Sequence, residues 1–329
     1  MCTAITYNSG DFYFGRNLDL EYGYNETITI TPRNYPFHFR CVPSMATHFA
    51  MIGMATVIDE FPLYYEATNE KGLSMAGLNF PNLAAYLPMN PQKVNVAPFE
   101  FIPWVLGQAS SIEDVRNLLA DLNLVNIPSS SQLPPTPLHW IISDAKASLV
   151  IEPMEDGLHI HENPIGVLTN APPFDYHLYH LRQYMSLSPN VVVSRFSENY
   201  EMTPFSGGMD AMGLPGDWSS TSRFVRAAFI KLNSLSDTTE PGNVSQFFHI
   251  LSAVSMPRGS VRVKDGIPDI TRYSCCINAS QGIYYYTTYD NCQITALYLH
   301  RENLNGIAPI SYPLRTQLQI QTETQSKGR

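Results

Sequence analysis

The groups best placed to do chemistry lie in the first twenty-one residues. The chain opens Met1-Cys2-Thr3, and a small second residue is the kind that lets an initiator methionine be trimmed. Cys2 would then carry a free α-amine beside its own thiol. A thiol ionises near about pH 8.5 and an α-amine near about 7.7–8.0, so both titrate close to neutrality. One residue can therefore supply nucleophile and base without a histidine, because an N-terminal amine can activate a nucleophile and a thiol needs little help. Taken without that chemistry, Met-Cys is an ordinary start.

The elements that must position Cys2 follow directly. Thr3–Tyr7 and Phe12–Asn17 are β-prone runs on either side of Asn8-Ser9-Gly10-Asp11, a turn rich in residues that tolerate positive φ. A turn centred on Ser9-Gly10 sets Cys2 opposite Asn17 and brings Arg16 and Asp19 beside the terminus, and a one-residue slip changes which of them faces Cys2. In either register a guanidinium near the thiol favours thiolate, and a carboxylate can hold the amine.

At 329 residues, with 44% hydrophobic and 12% aromatic content, the chain can bury a sizeable core. A net charge of −9 and the lack of any basic run argue against nucleic acid or an anionic membrane as partner. Met1 leads into alternating polar residues, so no signal peptide is read, and no apolar run has the length of a membrane span. Cys2, Cys41, Cys275, Cys276 and Cys292 form a sparse set without zinc-type spacing, which suits a reducing cytoplasm, and the last four read as buried small hydrophobes.

Alternation predicts strands over Glu26–Thr31 (half-buried), His48–Val57, Pro62–Thr68 and Leu73–Asn79. Asn82–Val96 reads as surface loop. Phe99–Gln108 reads as helix, and Ser110-Ser-Ile-Glu113 as a capping box opening another, with Ile112, Val115, Leu118, Leu119 and Leu122 on its core face. Ile127–Pro137, with three serines and four prolines, is a loop carrying an exposed Leu133. A hairpin over Leu138–Pro153 and strands over Leu158–His161 and Ile165–Asn170 follow. Phe174–Tyr184 is helical, with His177 and His180 on its surface or packed edge. Serines before Arg223 can cap a helix that places this cation in its first turn, where the macrodipole is unfavourable to it. Asn243 is expected to cap the next helix. Three β-rich runs, Ile270–Asn278, Gly282–Tyr289 and Gln293–Leu299, precede a polar tail from Thr316 to Arg329. Strands, helices, strands, helices, strands without βαβ alternation favour an antiparallel α+β arrangement.

Other chemistries find less support. His159 and His161 share a strand face and could be two metal ligands, yet no third ligand completes a set. There is no G-x-S-x-G elbow and no phosphate-binding G-x-x-x-x-G-K-[ST]. Asn79 and Asn170, each ending a strand, are neutral donors able to hold an oxyanion, and read equally well as turn residues.

Motifs along the chain resemble those of the choloylglycine hydrolases, a family of bile salt hydrolases and penicillin V acylases. They are the opening Met-Cys-Thr with Phe14-Gly-Arg-Asn-Leu-Asp19, Asn-Glu-Lys-Gly-Leu73, Ala-Gly-Leu-Asn79-Phe, Gly-Val-Leu-Thr-Asn170, Gly-Leu-Pro-Gly-Asp217 with Ser-Arg223-Phe, and Tyr-Tyr-Thr-Thr-Tyr-Asp-Asn291. The resemblance implies one N-terminal nucleophile hydrolase domain over 1–329, built as a four-layer αββα sandwich of two antiparallel sheets. It implies Cys2, Arg16, Asp19, Asn79, Asn170 and Arg223 as active-site residues, with no metal or cofactor. Cys2 attacks an amide, Asp19 orients its amine, the two asparagines hold the oxyanion, and the arginines bias the thiol and hold the pocket's polar end. Alignment with family pocket loops points to Leu18, Ile58, Tyr65 and Leu133 as walls for the acyl group. Asparagine at position 79 favours glycine- or taurine-conjugated bile salts over penicillin V. A silent steroid-binding member is the non-enzymatic alternative, and a cytoplasmic homotetramer is the implied assembly.

Overall fold

Gly10, at φ +73°, makes the first turn almost alone. In the computed structural model, which describes residues 1–129, 134–263 and 266–323, β1 (Cys2–Ser9) and β2 (Asp11–Leu20) pair with Ser9 opposite Asp11. Cys2 therefore faces Leu18, not Asn17. The expected register is off by one because a single left-handed glycine suffices to reverse the chain, leaving Ser9 in the ladder. The slip exchanges faces: Ala4 opposes Arg16, so Arg16 and Leu18 share the face of Cys2, while Thr3, Asn17 and Asp19 point to the other side.

The strands that follow are β3 (Thr27–Thr31), β4 (Met51–Ile58), β5 (Phe61–Asn69), β6 (Ser74–Asn79) and the short β7 (Val94–Val96), which interrupts the loop expected over 82–96. Next come α1 (Phe101–Leu106), α2 (Ile112–Leu119), β8 (Leu122–Leu124), β9 (Leu138–Ser143), β10 (Ser148–Met154), β11 (Gly157–Glu162), β12 (Val167–Leu168) and α3 (Phe174–Leu181). The chain continues through α4 (Ser220–Leu232), α5 (Glu240–Ser252), β13 (Val261–Arg262), β14 (Pro268–Asn278), β15 (Ile283–Thr288), β16 (Asn291–Tyr298) and β17 (Ile310–Pro313).

Two large antiparallel sheets result. One runs β12-β1-β2-β14-β15-β16, with β13 beside β14, and the other runs β11-β10-β9-β6-β5-β4-β3-β17. Side chains such as Ile28, Ile30, Ile52, Met54, Phe14 and Cys275 fill the space between them. Phe224, Ala228, Phe247 and Leu251 from α4 and α5 cover the outer face of the first sheet. Phe101, Val105, Val115 and Leu119 from α1 and α2 cover that of the second. This is the expected four-layer αββα sandwich. Thr29 and Thr31 are buried along with Ile28 and Ile30, so that strand is covered on both faces rather than half-buried, with the Tyr64 hydroxyl against Thr31 Oγ1 and the Thr29 carbonyl oxygen.

Several local expectations move. Ser111, not Ser110, caps α2, its Oγ accepting from Asp114 N at 3.2 Å, and Leu122 falls in β8 rather than on the helix. Thr239 caps α5, whereas Asn243 is buried in its first turn and its Oδ1 accepts from Ser9 Oγ and Asp237 N. The strand before Asn170 shrinks to Val167–Leu168. His177, expected on the surface or packed edge of α3, is fully buried and stacked on Phe224 with ring centroids 4.7 Å apart. Cys275 and Cys276 are buried as expected, but Cys41 is half-buried and Cys292 exposed. Among the described residues, no helix is long and apolar enough to cross a membrane.

Gly15 lies on β2 opposite Cys276 of its neighbour β14, and a Cβ there would stand 2.0 Å from the Cys275 carbonyl oxygen. Gly15→Ala should therefore force the two strands apart and destabilise the protein by about 1–3 kcal/mol. Urea unfolding should show this as a lower midpoint with unchanged slope. An unshifted midpoint would mean that the strands separate there without loss.

Candidate active site

Cys2, only 3% exposed, begins β1 at the wall of a cleft between the sheets. Its backbone N–H donates to Asn170 Oδ1 at 2.9 Å. The α-amine in this structure belongs to Met1, which donates to the Asp19 carbonyl oxygen at 2.7 Å and to Asp269 Oδ2 at 3.1 Å. Asp269 was not singled out in the sequence. Asp19 Oδ1 accepts from Thr271 Oγ1 at 2.6 Å, and its Oδ2 is buried without a partner. Burial pushes the Asp19 carboxyl up, against the pull of Arg223, the amine and Thr271.

Asn170 joins separate elements. Its Oδ1 also accepts from Arg223 Nη2 at 2.7 Å, and its Nδ2 donates to the Asn79 carbonyl oxygen at 2.7 Å. Its backbone N–H donates to Ser220 Oγ at 2.8 Å, which ties it to the start of α4. Arg223 is fully buried, donating also to the Cys2 carbonyl oxygen, to Thr3 Oγ1 at 2.7 Å and to Trp218 O at 3.0 Å. Those acceptors explain a cation in the first turn of α4. Arg223 lies on the helix side of β1 and does not line the cleft.

Arg16 does line it. The β4–β5 ladder has a bulge that leaves Tyr65 without an opposed residue. Arg16 Nη1 bonds the Tyr65 carbonyl at 3.1 Å and Gly77 O at 2.6 Å, reaching from one sheet to the other. Glu66 stands 3.8 Å from Nη1, and its carboxylate accepts from Tyr273 and Tyr284 hydroxyls at 2.7 and 2.6 Å. Burial opposes the Arg16 cation, but the Cys2 thiol, the Tyr273 hydroxyl and the Glu66 carboxylate around it outweigh that and hold Arg16 above its ordinary range. Nε and Nη2 of Arg16 are buried without partners.

The cleft has a volume of about 470 Å³, within the range of small-molecule sites. Leu18, Ile58, Tyr65 and Asn79 all line it with Cys2 and Arg16. Leu133 lies outside the described residues, though Ser129 and Pro134–Leu138 around it form one wall. Leu20, Tyr24, Phe99 and Ile102 add to the apolar surface and were not singled out in the sequence. His159 sits 2.8 Å from Asp156 and His161 3.4 Å from Glu152. Among the described residues, no group of three or more His, Cys, Asp or Glu could hold a metal.

A cysteine at the head of a central strand, facing a cleft in an αββα sandwich, defines the architecture of the N-terminal nucleophile hydrolases. The chain belongs to the choloylglycine hydrolase family of linear amide C-N hydrolases, whose profile it matches over residues 2–312. It is 53% identical, over 97% of its length and 98% of the other's, to the bile salt hydrolase/transferase of Lactiplantibacillus plantarum. It is 39% identical to the bile salt hydrolase/transferase of Clostridium perfringens over 97% of this chain and 99% of that one. The crystal structure of a mutant conjugated bile acid hydrolase from Clostridium perfringens superposes with TM-score 0.90 at 38% identity, covering 98% and 100% of the two chains.

Behind Asn170 lies a buried polar cluster. Glu152 accepts from Phe174 N through both oxygens at 3.1 Å and meets His139 Nδ1 at 3.0 Å. Burial alone would raise the Glu152 pKa, but bonds from His139 and His161, with the Phe174 amide, hold it down at about 2. A depressed carboxyl contributes stability that is complete above the ordinary carboxylate range and is lost as pH falls towards about 2. Glu152→Gln should thus be less stable than the parent at neutral pH, with the gap closing in acid. Urea midpoints from neutral pH down to about pH 3 test this, and a gap that stays constant would contradict it.

Proposed function

We propose that this protein hydrolyses the amide bond of glycine- or taurine-conjugated bile salts, with Cys2 as nucleophile after loss of Met1. The observation that carries the reading is Cys2 and Arg16 on one wall of a largely apolar cleft of about 470 Å³. Such a cleft suits a rigid apolar acyl group with one polar end. Two relatives named as bile salt hydrolase/transferases, alike over nearly the whole chain, support the substrate class.

In this reading the Cys2 sulfur bonds to the amide carbonyl carbon while the Cys2 α-amine takes the thiol proton. The negative oxygen that forms is met by donors from Asn79 and Asn170. The amine then passes the proton to the leaving nitrogen, the C–N bond breaks, and glycine or taurine departs from a thioester. Water, deprotonated by the same amine, attacks the thioester and restores the thiol. Acceptors for a cationic amine stand at the head of β1, namely the Asp19 carbonyl, the Asp269 carboxylate and the free Asp19 Oδ2. Arg16 contributes a fixed positive charge facing the reacting end of the cleft.

Five cysteines without a disulfide support a cytoplasmic setting. Exposed apolar side chains such as Val191 (82%), Phe196 (79%) and Phe205 (84%) support an assembly of copies, which we read as a homotetramer.

Asn170→Ala should lower the release of glycine from glycocholate by on the order of 10²–10³-fold, because one donor to the developing charge is gone. Cys2→Ala should abolish it, and mass spectrometry of active protein should find Met1 absent. Turnover of phenoxymethyl penicillin well above that of glycocholate would assign the site to the other branch of the family. Release of no glycine, with Met1 retained, would leave a steroid-binding protein.

A further inference from the structure

The Asn170 carboxamide meets Cys2, Arg223 and Asn79 at once, so its aim depends on the backbone beneath it. That backbone lies outside the sheet, because β12 ends at Leu168. Ser220 Oγ meets the Asn170 N–H at 2.8 Å and its carbonyl oxygen at 2.9 Å, and two buried imidazoles hold the same stretch. His139 Nε2 stands 3.0 Å from the Thr169 carbonyl oxygen, and His177 Nε2 stands 2.9 Å from the Asn170 carbonyl oxygen. A carbonyl only accepts, so both Nε2 atoms carry hydrogen.

Neither ring is needed for bulk. His139 lies flat on Phe80, with centroids 4.3 Å apart and planes 7° from parallel, and His177 stacks on Phe224 at 20°. A phenyl ring would fill either slot without burying nitrogen. His177 Nδ1 is buried with no partner, an arrangement that disfavours the imidazole unless Nε2–H makes up for it. Burial also pushes the His177 pKa down to about 4, which leaves the ring neutral and able to hold its one proton on Nε2. His139 is oriented from behind by Glu152, which also holds Phe174 N, so both ends of the 169–174 segment rest on one cluster.

We propose that His139 and His177 are positioning residues for the amide hydrolysis, whose Nε2–H groups fix two successive carbonyls and so aim the Asn170 carboxamide at Cys2. This rests on the reading of Cys2 and Asn170 given above. Neither histidine touches the cleft. Both act through the peptide they hold, and a small tilt of that peptide moves the carboxamide away from Cys2 and Asn79.

The test uses His177→Phe, which keeps the stack on Phe224 and removes the donor, and His177→Gln, which restores an N–H at similar reach. For glycocholate hydrolysis, kcat of His177→Phe should fall by about 10–100-fold, the loss expected from a small misplacement, with KM within about twofold of the parent. His177→Gln should recover most of that loss, which mere filling of the core would not predict. Nitrogen NMR of the parent protein, independent of whether the variants fold, should find His177 neutral and protonated at Nε2. A stable His177→Phe with parental kcat, a Gln variant no better than Phe, or a proton on Nδ1 would each overturn the proposal. Full activity in Asn170→Ala would bring down the underlying reading, whereas an inactive Asn170→Ala beside a fully active His177→Phe would remove the histidines alone.

Discussion

The pairing of β1 with β2 decides which groups can meet. With Cys2 opposite Leu18, one face of the hairpin gathers Cys2, Arg16 and Leu18 over the cleft, and the other gathers Thr3, Asn17 and Asp19 against α4 and α5. Shifted by one residue, Arg16 would point away from the sulfur and Asp19 towards it. The two sheets then divide the work. One supplies the nucleophile's strand, and the other supplies the Tyr65 and Gly77 carbonyls that grip Arg16.

Charge is arranged to suit that division. Arg16 and Arg223 are both fully buried, on opposite faces of the first sheet; Arg223 is ringed by acceptors, whereas Arg16 bonds through Nη1 alone and keeps Nε and Nη2 without partners. Arg16 has Glu66 with two tyrosine hydroxyls behind it, and Arg223 has carbonyls, a hydroxyl and Asn170. Removing a partner from such a set leaves an uncompensated buried charge, which is strongly destabilising. The Tyr65 and Gly77 carbonyls hold the Arg16 guanidinium where it lines the cleft with Cys2.

Much of this was legible in the sequence, and the parts that were not share a cause. Strand alternation located β3 to β6 and β9 to β11 within a few residues, and the motifs around Cys2, Asn79, Asn170 and Arg223 marked positions that the fold brings together around Asn170. The register failed because Ser9 and Gly10 are equally good turn residues, and only the twist of the finished ladder chooses between them. Caps slipped where Ser110 and Ser111 compete for one role. Asp269 left no local trace: its contact with Met1 spans 268 residues. Helical spacing places His177 on the surface or packed edge of its helix, and says nothing of Phe224 of α4 lying over it. Glu152, at the end of the apolar run Leu149-Val150-Ile151, was not singled out in the sequence.

The wall of the cleft made by Pro134, Pro135, Thr136 and Pro137 has a further consequence. Proline rings fix φ, so this strip of apolar surface gives up little freedom when something settles on it. A stiff fused-ring guest brings equally little freedom to lose, and two rigid surfaces that match can associate with hardly any ordering penalty. A floppy acyl chain of the same oiliness would have to be straightened first. The mouth therefore sorts guests by stiffness as well as by greasiness.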